Sequence, residues 1–82
     1  MKASFVIYTK PNCCLCLEAK EVLRKAQESV AFEFVEQDIL ADWELYQQYK
    51  EAIPVLMNGK EEWFRLRFSS AEFVKKFKAA SW

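Results

Sequence analysis

The chain has 82 residues, of which 52 % are hydrophobic and 16 % aromatic, so it fits one small folded domain over residues 1–82 and is not a disordered segment. Twelve basic and twelve acidic side chains give zero net charge, which excludes a basic field for nucleic acid or an anionic membrane. The first apolar run is too short for a secretion signal, and three clustered cysteines exclude a secreted disulfide scaffold. We therefore expect a cytoplasmic protein.

The first half of the chain predicts a strand, a helix and a second strand. Residues 4–9 are β-branched and aromatic, which is typical of a short buried strand. Residues 31–36 alternate and predict the second strand. From Cys14 onward the apolar residues fall at helical spacing: Leu15, Ala19, Val22, Leu23 and Ala26. A unit of this kind implies parallel strands and a right-handed crossover.

The second half predicts a helix, a hairpin and a last helix. The helix covers roughly Trp43–Tyr49, and a strand follows over residues 53–57. Asn58-Gly59 predicts a two-residue type I′ turn into a further strand over residues 61–68. In that strand Phe64, Leu66 and Phe68 alternate with Trp63, Arg65 and Arg67, as expected for a strand with one face inward; the alternation does not assign the exposure of Trp63.

The last helix is expected to begin with a capping box formed by Ser69 and Glu72. The complete order is β-α-β-α-β-β-α. It predicts an α/β domain with a four-stranded mixed sheet and helices on both faces, which is a thioredoxin-type topology.

All three cysteines lie where the first strand gives way to the first helix. Free amides in the first turn and the helix dipole stabilise a thiolate, so Cys13 is the expected nucleophile, with added positive charge from Lys10. Cys16, on the same side of the turn and beside the apolar stripe, should be the less exposed sulfur. Cys14 falls on the polar side and is poorly placed to bond either neighbour. The spacing therefore predicts a redox-active Cys13–Cys16 disulfide.

Cysteines in this arrangement could also bind a metal ion or serve a non-catalytic role. A structural zinc site needs about four nitrogen or sulfur ligands, and the chain has three cysteines and no histidine, so we predict no structural zinc site. Three thiolates could still hold Cu(I), or an iron–sulfur cluster shared between two chains. The fold could also bind a partner without turnover.

Two stretches, "YTKPNCCLCLEAKEVL" (8–23) and "IPVLMNGKE" (53–61), resemble the glutaredoxin-like branch of the thioredoxin superfamily. The resemblance covers nearly the whole chain in the order of its elements. Four further residues, followed by "IPVL", resemble the short glutaredoxin-like proteins in particular: Asp38, Asp42, Leu45 and Tyr49.

The resemblance implies roles for individual residues. Cys13 would be the nucleophilic cysteine and Cys16 the resolving one. Pro54 would be a cis-proline beside the cysteines, and the backbone of Val55 would pair with substrate. Lys10 matches a lysine that lies near the thiolate and a glutathione carboxylate.

The sequence also departs from glutaredoxins. Their last helix begins with a Gly-Gly element that binds one end of glutathione, whereas residues 67–70 here read Arg-Phe-Ser-Ser. The dipeptide between the active cysteines is Cys14-Leu15 rather than Pro-Tyr. We therefore expect weak use of glutathione.

These observations predict a thiol–disulfide oxidoreductase that serves electron transport and cell redox homeostasis. We expect no tightly bound metal or organic cofactor, and glutathione or a reductase as the electron donor. The expected partner is a disulfide-containing protein or a small thiol, with no nucleic acid and no membrane, and the expected state is a monomer.

Overall fold

The computed structural model describes residues 3–80. Within that range the elements are β1 (Ala3–Thr9), α1 (Cys14–Ala26), β2 (Phe32–Asp38), α2 (Trp43–Tyr49), β3 (Val55–Asn58), β4 (Glu61–Arg65) and α3 (Ser70–Ala79). A short 3₁₀ helix, Ile39–Ala41, precedes α2. The sheet order is β2-β1-β3-β4, with β1 parallel to β2 and the other pairs antiparallel. The predicted element order and mixed sheet are confirmed, and the fold is thioredoxin-like.

Successive residues of β3 show how the helices cover both faces of the sheet. Leu56 belongs to the main core, which α1 and α3 close with Leu23 and Phe73. Val55 and Met57 point to the opposite face, where Tyr49 of α2 packs against them. Side chains alternate between the faces of a strand, so a continuous apolar run is expected for a strand buried on both sides.

An aromatic cluster ties four elements of the main core together. Phe5 of β1 is fully buried, and its ring lies edge-on to Phe32 of β2, Trp63 of β4 and Phe73 of α3 at centroid distances of 5.6, 4.9 and 5.3 Å. Such pairs contribute about 0.5–1.5 kcal/mol each beyond the burial of their area. This cluster therefore holds β1, β2, β4 and α3 in fixed relation.

The regular alternation predicted for the last strand does not hold. Trp63 is buried at 7 % exposure, while Leu66 is 43 % exposed and has a φ of +65°, just beyond the end of β4 at Arg65. The register between β3 and β4 shifts between Leu56 and Met57. Such an irregularity brings consecutive residues onto the same face, which strict alternation cannot describe. Phe64 stacks on Phe68 at 4.8 Å, so the alternation holds in part for these two residues.

The hairpin turn also differs from the prediction. Asn58 is paired with Glu61, so the two-residue loop is Gly59-Lys60. The φ angle of Gly59 is +62°, whereas the φ angle of Asn58 is not positive. A type I′ turn needs positive φ at both central residues, whereas a type II′ turn needs it at the first only. The type I′ prediction is therefore wrong.

Most helix predictions are confirmed. α2 has the predicted bounds, and Ser69 and Glu72 form the predicted capping box, with the Glu72 N–H donating to Ser69 Oγ at 3.1 Å. On α1 the fully buried side chains are Cys16, Ala19, Leu23 and Ala26, with Leu15 half-buried. β2 runs two residues beyond its predicted end, and β3 begins two residues late because the Ile53-Pro54 segment precedes it. No helix within residues 3–80 is long and apolar enough to cross a bilayer.

Candidate active site at the start of the first helix

The segment between β1 and α1 turns sharply and delivers Cys13 to the helix start. β1 ends at Thr9, and Asn12 adopts a left-handed conformation with a φ of +60°. Asparagine tolerates this conformation better than most residues because its side chain bonds locally. The chain then enters α1 with Cys13 as the N-cap, in extended backbone conformation.

The two sulfurs predicted to work together lie side by side. The Cys16 amide N–H donates to Cys13 Sγ at an N···S distance of 3.2 Å, and the Cys16 thiol donates to the same sulfur, with the Sγ atoms 2.6 Å apart. Cys13 Sγ thus takes the place that a serine or aspartate oxygen occupies in an ordinary N-cap. Two donors and the positive end of the helix dipole are therefore directed at one sulfur.

Cys16 has the opposite environment. It is 2 % exposed, as the sequence predicted for the less accessible sulfur. Burial first, and then its hydrogen bond to Cys13, raise the pKa of Cys16 to about 12, while the Lys10 backbone amide acts in the other direction. The neighbouring Glu36 carboxylate adds a smaller upward effect. At neutral pH Cys16 is therefore a neutral thiol, and it can act as a hydrogen-bond donor.

A polar network beneath Cys16 was not predicted from the sequence. Thr9, 1 % exposed, donates its hydroxyl to Glu36 Oε2 at 2.6 Å, and Lys20 Nζ lies 3.2 Å from the same oxygen. The Thr9 hydrogen bond is the largest cause that lowers the pKa of Glu36. These residues come from β1, β2 and α1. Only the register of the parallel strands brings them together, and no local pattern in the sequence carried that information.

The peptide bond between Ile53 and Pro54 is cis, as the resemblance implied. Ile53 packs in the same buried cluster as Cys16, and Cys13 lies against that cluster. The Pro54 carbonyl accepts a hydrogen bond from the Leu66 N–H at 2.8 Å, which ties this segment to the end of β4.

Val55 is placed differently from the other residues of the predicted site. It is fully buried and lies opposite Tyr8 of β1 on one side and Arg65 of β4 on the other. Its backbone is therefore in the interior of the sheet. Its pairing with substrate stays a prediction.

A cleft of about 510 Å³ opens beside the cysteines on the β2 side. Cys13 and Cys16 line it, together with Lys10, Lys20 and Glu36. Lys10 is exposed, so its ammonium group can reach an anionic group bound in this cleft. Lys10 thus lines the same cleft as the two cysteines, and its role toward substrate stays a prediction.

Cys14 lies apart from this pair. Its side chain is exposed, whereas Cys13 is half-buried and Cys16 buried. In the part of the chain that the structure describes, no group of three or more cysteine or carboxylate side chains converges as metal ligands would. The geometry therefore singles out a dithiol, with Cys14 as a separate surface thiol.

The start of α3 bears on the expected use of glutathione. Phe68 is buried at 9 % exposure, and Ser69 uses its side chain to cap its own helix. The Nη1 atom of Arg67 lies 3.8 Å from Oε2 of Glu18 on α1, so the guanidinium charge is directed toward a carboxylate. The backbone at this helix start is thus flanked by side chains, unlike a Gly-Gly element.

Comparison with known proteins agrees with this description. The family model described as "Glutaredoxin-like domain (DUF836)" matches residues 4–78. No curated protein matches the chain.

Solved structures match over nearly the full length. The X-ray structure of the structural-genomics target XcR50 from X. campestris has a TM-score of 0.75 and 28 % identity, covering 94 % of this chain and 99 % of that one. The solution structure of Ne2328 from Nitrosomonas europaea has a TM-score of 0.79 and 26 % identity, covering 93 % and 92 %. A structure titled as a malarial protein, 15 % identical with a TM-score of 0.67 over 96 % and 97 % of the chains, shares the fold. The match over residues 4–78 shows that this chain belongs to the glutaredoxin-like family.

Proposed function

We propose that the protein is a dithiol thiol–disulfide oxidoreductase in which Cys13 is the nucleophile and Cys16 the resolving thiol. One observation carries the proposal. Cys13 Sγ, at the N-cap of α1, accepts hydrogen bonds from both the amide and the thiol of Cys16. A half-buried sulfur with two donors and a buried partner of raised pKa is an asymmetric pair, as two-step exchange requires.

In the first step the Cys13 thiolate attacks one sulfur of a substrate disulfide. The substrate S–S bond breaks, its other sulfur leaves as a thiolate, and a mixed disulfide joins Cys13 to the substrate. The Cys16 amide and the helix dipole stabilise the attacking anion before the step.

In the second step Cys16 loses its proton and attacks Cys13 Sγ. The mixed disulfide breaks, the substrate leaves as a second thiolate, and the protein holds a Cys13–Cys16 disulfide. The substrate has then gained two electrons. Two thiols of glutathione, or one dithiol of a reductase, return the protein to its starting state.

The remaining predicted site residues have supporting roles in this proposal. Lys10 would attract an anionic substrate group to the cleft, and Pro54 would help to shape the surface beside the sulfurs, since Ile53 packs in the cluster that holds Cys16. Val55 would contribute backbone contacts to the substrate. The adjacent free cysteines suit a reducing compartment, and we propose the cytoplasm.

A coupled NADPH assay tests the proposal with the two classes of electron donor. Reduction of a disulfide is followed once with glutathione and glutathione reductase, and once with thioredoxin reductase. We expect NADPH consumption with at least one donor, and its loss in Cys13→Ser. If wild type and Cys13→Ser give the same rate with both donors and with a chemical dithiol, the protein is a binding module rather than an oxidoreductase.

A further inference from the structure

The loop that carries Cys13 and the segment that leads into α2 lie at the same end of the strands. β1 and β2 are parallel and Thr9 lies opposite Asp38, so the loop after β1 and the segment after β2 leave the sheet side by side. Tyr46 of α2 and Cys13 pack against one shared buried cluster, Cys16, Ile39 and Ile53. The start of α2 is therefore a neighbour of the reactive sulfur.

Two large apolar side chains at the start of α2 are open to solvent. Trp43 is 69 % exposed and Leu40 is 57 % exposed. The Trp43 ring stacks on Tyr46 with centroids 5.8 Å apart and planes 22° from parallel. A solvent-exposed group of aromatic and aliphatic side chains beside a reactive centre is typical of a site that binds another polypeptide.

Fixed negative charge surrounds these apolar groups. Asp38 accepts a hydrogen bond from the Leu40 N–H at 2.8 Å, and Asp42 accepts from the N–H of Glu44 at 3.0 Å. Both carboxylates are thus held in place by the backbone. Within residues 3–80, no ion pair joins Asp38, Asp42 or Glu44 to a basic side chain, although Lys20 in the nearby cleft is paired with Glu36.

Two basic groups border this region. Lys10 lines the cleft beside Cys13, which Asp38 also lines, and Lys50 is at the far end of α2, where its ammonium lies 5.9 Å from the centre of the Tyr46 ring. Asp42 and Glu44 place two carboxylates at the start of α2, and Asp38 adds a third on the segment that leads into it. A partner that places a cation there gains charge complementarity.

We propose that these residues form a docking surface for polypeptide disulfides in which an apolar side chain and a Lys or Arg flank the reactive cysteine. We call it the acidic-aromatic surface; it consists of Leu40, Trp43, Tyr46, Asp38, Asp42 and Glu44. The proposal rests on the proposed function and names its substrate class. An extended segment bound at Cys13 places its apolar side chain on Trp43 and Leu40, and its cation faces the carboxylates and the Trp43 ring. A small disulfide such as hydroxyethyl disulfide reaches neither group.

Four short peptides test this proposal on the full-length protein carrying Cys14→Ser, because the exposed Cys14 thiol would add its own signal. In each peptide one cysteine forms a mixed disulfide with thionitrobenzoate. The two residues that flank this cysteine are Leu and Lys, Leu and Glu, Ser and Lys, or Ser and Glu. The rate of thionitrobenzoate release is divided by the rate with 2-mercaptoethanol, which removes the intrinsic reactivity of each peptide. We expect the Leu–Lys peptide to react about tenfold faster than the Leu–Glu and Ser–Lys peptides, and the difference to shrink with added salt.

Variants assign each preference to its side chains. Trp43→Ala should remove the preference for Leu over Ser, and Asp42→Asn combined with Glu44→Gln should remove the preference for Lys over Glu. Asparagine keeps the N-cap of α2, so this change removes charge without removing the cap. Glu28→Gln, an exposed carboxylate beyond the other end of α1, is the matched control and should keep both preferences. All variants should reduce hydroxyethyl disulfide as wild type does.

Equal normalised rates for the four peptides with the Cys14→Ser protein would overturn the docking proposal. So would preferences that survive in Trp43→Ala and in the charge variant. If no disulfide reacts at all, the proposed function fails instead, and the docking surface is then tested by binding alone. For that, fluorescence anisotropy with Cys13→Ser and peptides carrying serine for cysteine should still show about tenfold tighter binding of the Leu–Lys peptide than of the Ser–Glu peptide; equal affinities would refute the surface.

Discussion

The raised pKa of Cys16 leads to a prediction about the pH dependence of the second exchange step. In the free dithiol that pKa is about 12, chiefly because the thiol is buried. In the mixed disulfide the hydrogen bond to Cys13 and the charge of Cys13 are gone, but burial and Glu36 remain. The pKa should therefore stay above its ordinary value of about 8.5, so about three Cys16 thiols in a hundred or fewer are ionised at pH 7.

Because the thiolate is the attacking species, the rate of the second step should rise with pH between pH 7 and pH 9, by about tenfold for each pH unit that lies well below the Cys16 pKa. Cys14→Ser protein is mixed with Ellman's reagent, since this change removes the exposed thiol that would add its own signal. The first release of thionitrobenzoate reports attack by Cys13, and the second reports resolution by Cys16. Stopped-flow absorbance follows both phases over this pH range.

The matched control is Cys14→Ser combined with Cys16→Ser, which should give the first release and no second. A second phase that levels off near pH 7, or does not depend on pH, would show that burial does not hold Cys16 in its protonated form. The reasoning from its environment would then be wrong.

Three further predictions concern stability and the electron donor. Ser69→Ala should lower the free energy of unfolding by about 1 kcal/mol, measured by urea denaturation, because it removes the cap of α3; Ser69→Asn, which can still cap, should lose less. The Thr9 hydrogen bond and Lys20 lower the pKa of Glu36, so this carboxylate stabilises the fold above its unfolded pKa of about 4.3, and the contribution is lost as pH falls through the lower folded pKa. In Glu36→Gln the urea midpoint should therefore fall less steeply than in wild type as the pH is lowered through this range. An equally steep fall would contradict this. Phe68 and Ser69 stand where the glycines of glutaredoxins would expose backbone amides. The loss of one charge-assisted contact, about 1.5–3 kcal/mol, should weaken the binding of glutathione about ten- to a hundredfold. The reduction rate should therefore not saturate at low micromolar glutathione.

The sequence predicted what depends on local patterns. The bounds of α2, the capping box of Ser69, and the relative burial of Cys13, Cys14 and Cys16 all follow from helical periodicity and from the chemistry of helix ends. These features need no knowledge of which strands pair.

Features that depend on pairing between strands were missed. The alternation of the last strand was mispredicted because the register shift between β3 and β4 interrupts the two-residue period. The turn was mispredicted because Asn58 is used as a paired strand residue, which moves the loop to Gly59-Lys60. Both errors concern one hairpin, and neither touches the cysteines.

The polar network of the site was missed for a related reason. Thr9 and Glu36 are 27 residues apart and meet only because β1 and β2 are parallel in one particular register. The order of elements predicted parallel strands without fixing that register. The acidic-aromatic surface likewise depends on two segments leaving the sheet at the same end of the strands.

The central claim is that Cys13 attacks and Cys16 resolves. Its most direct test is to incubate Cys16→Ser with a peptide disulfide and locate the adduct by mass spectrometry after proteolysis. The account predicts a stable mixed disulfide on Cys13, no adduct or turnover in Cys13→Ser combined with Cys14→Ser, and turnover by Cys14→Ser within a few-fold of wild type. An adduct on Cys14, or a Cys14→Ser protein that no longer reduces disulfides, would contradict it.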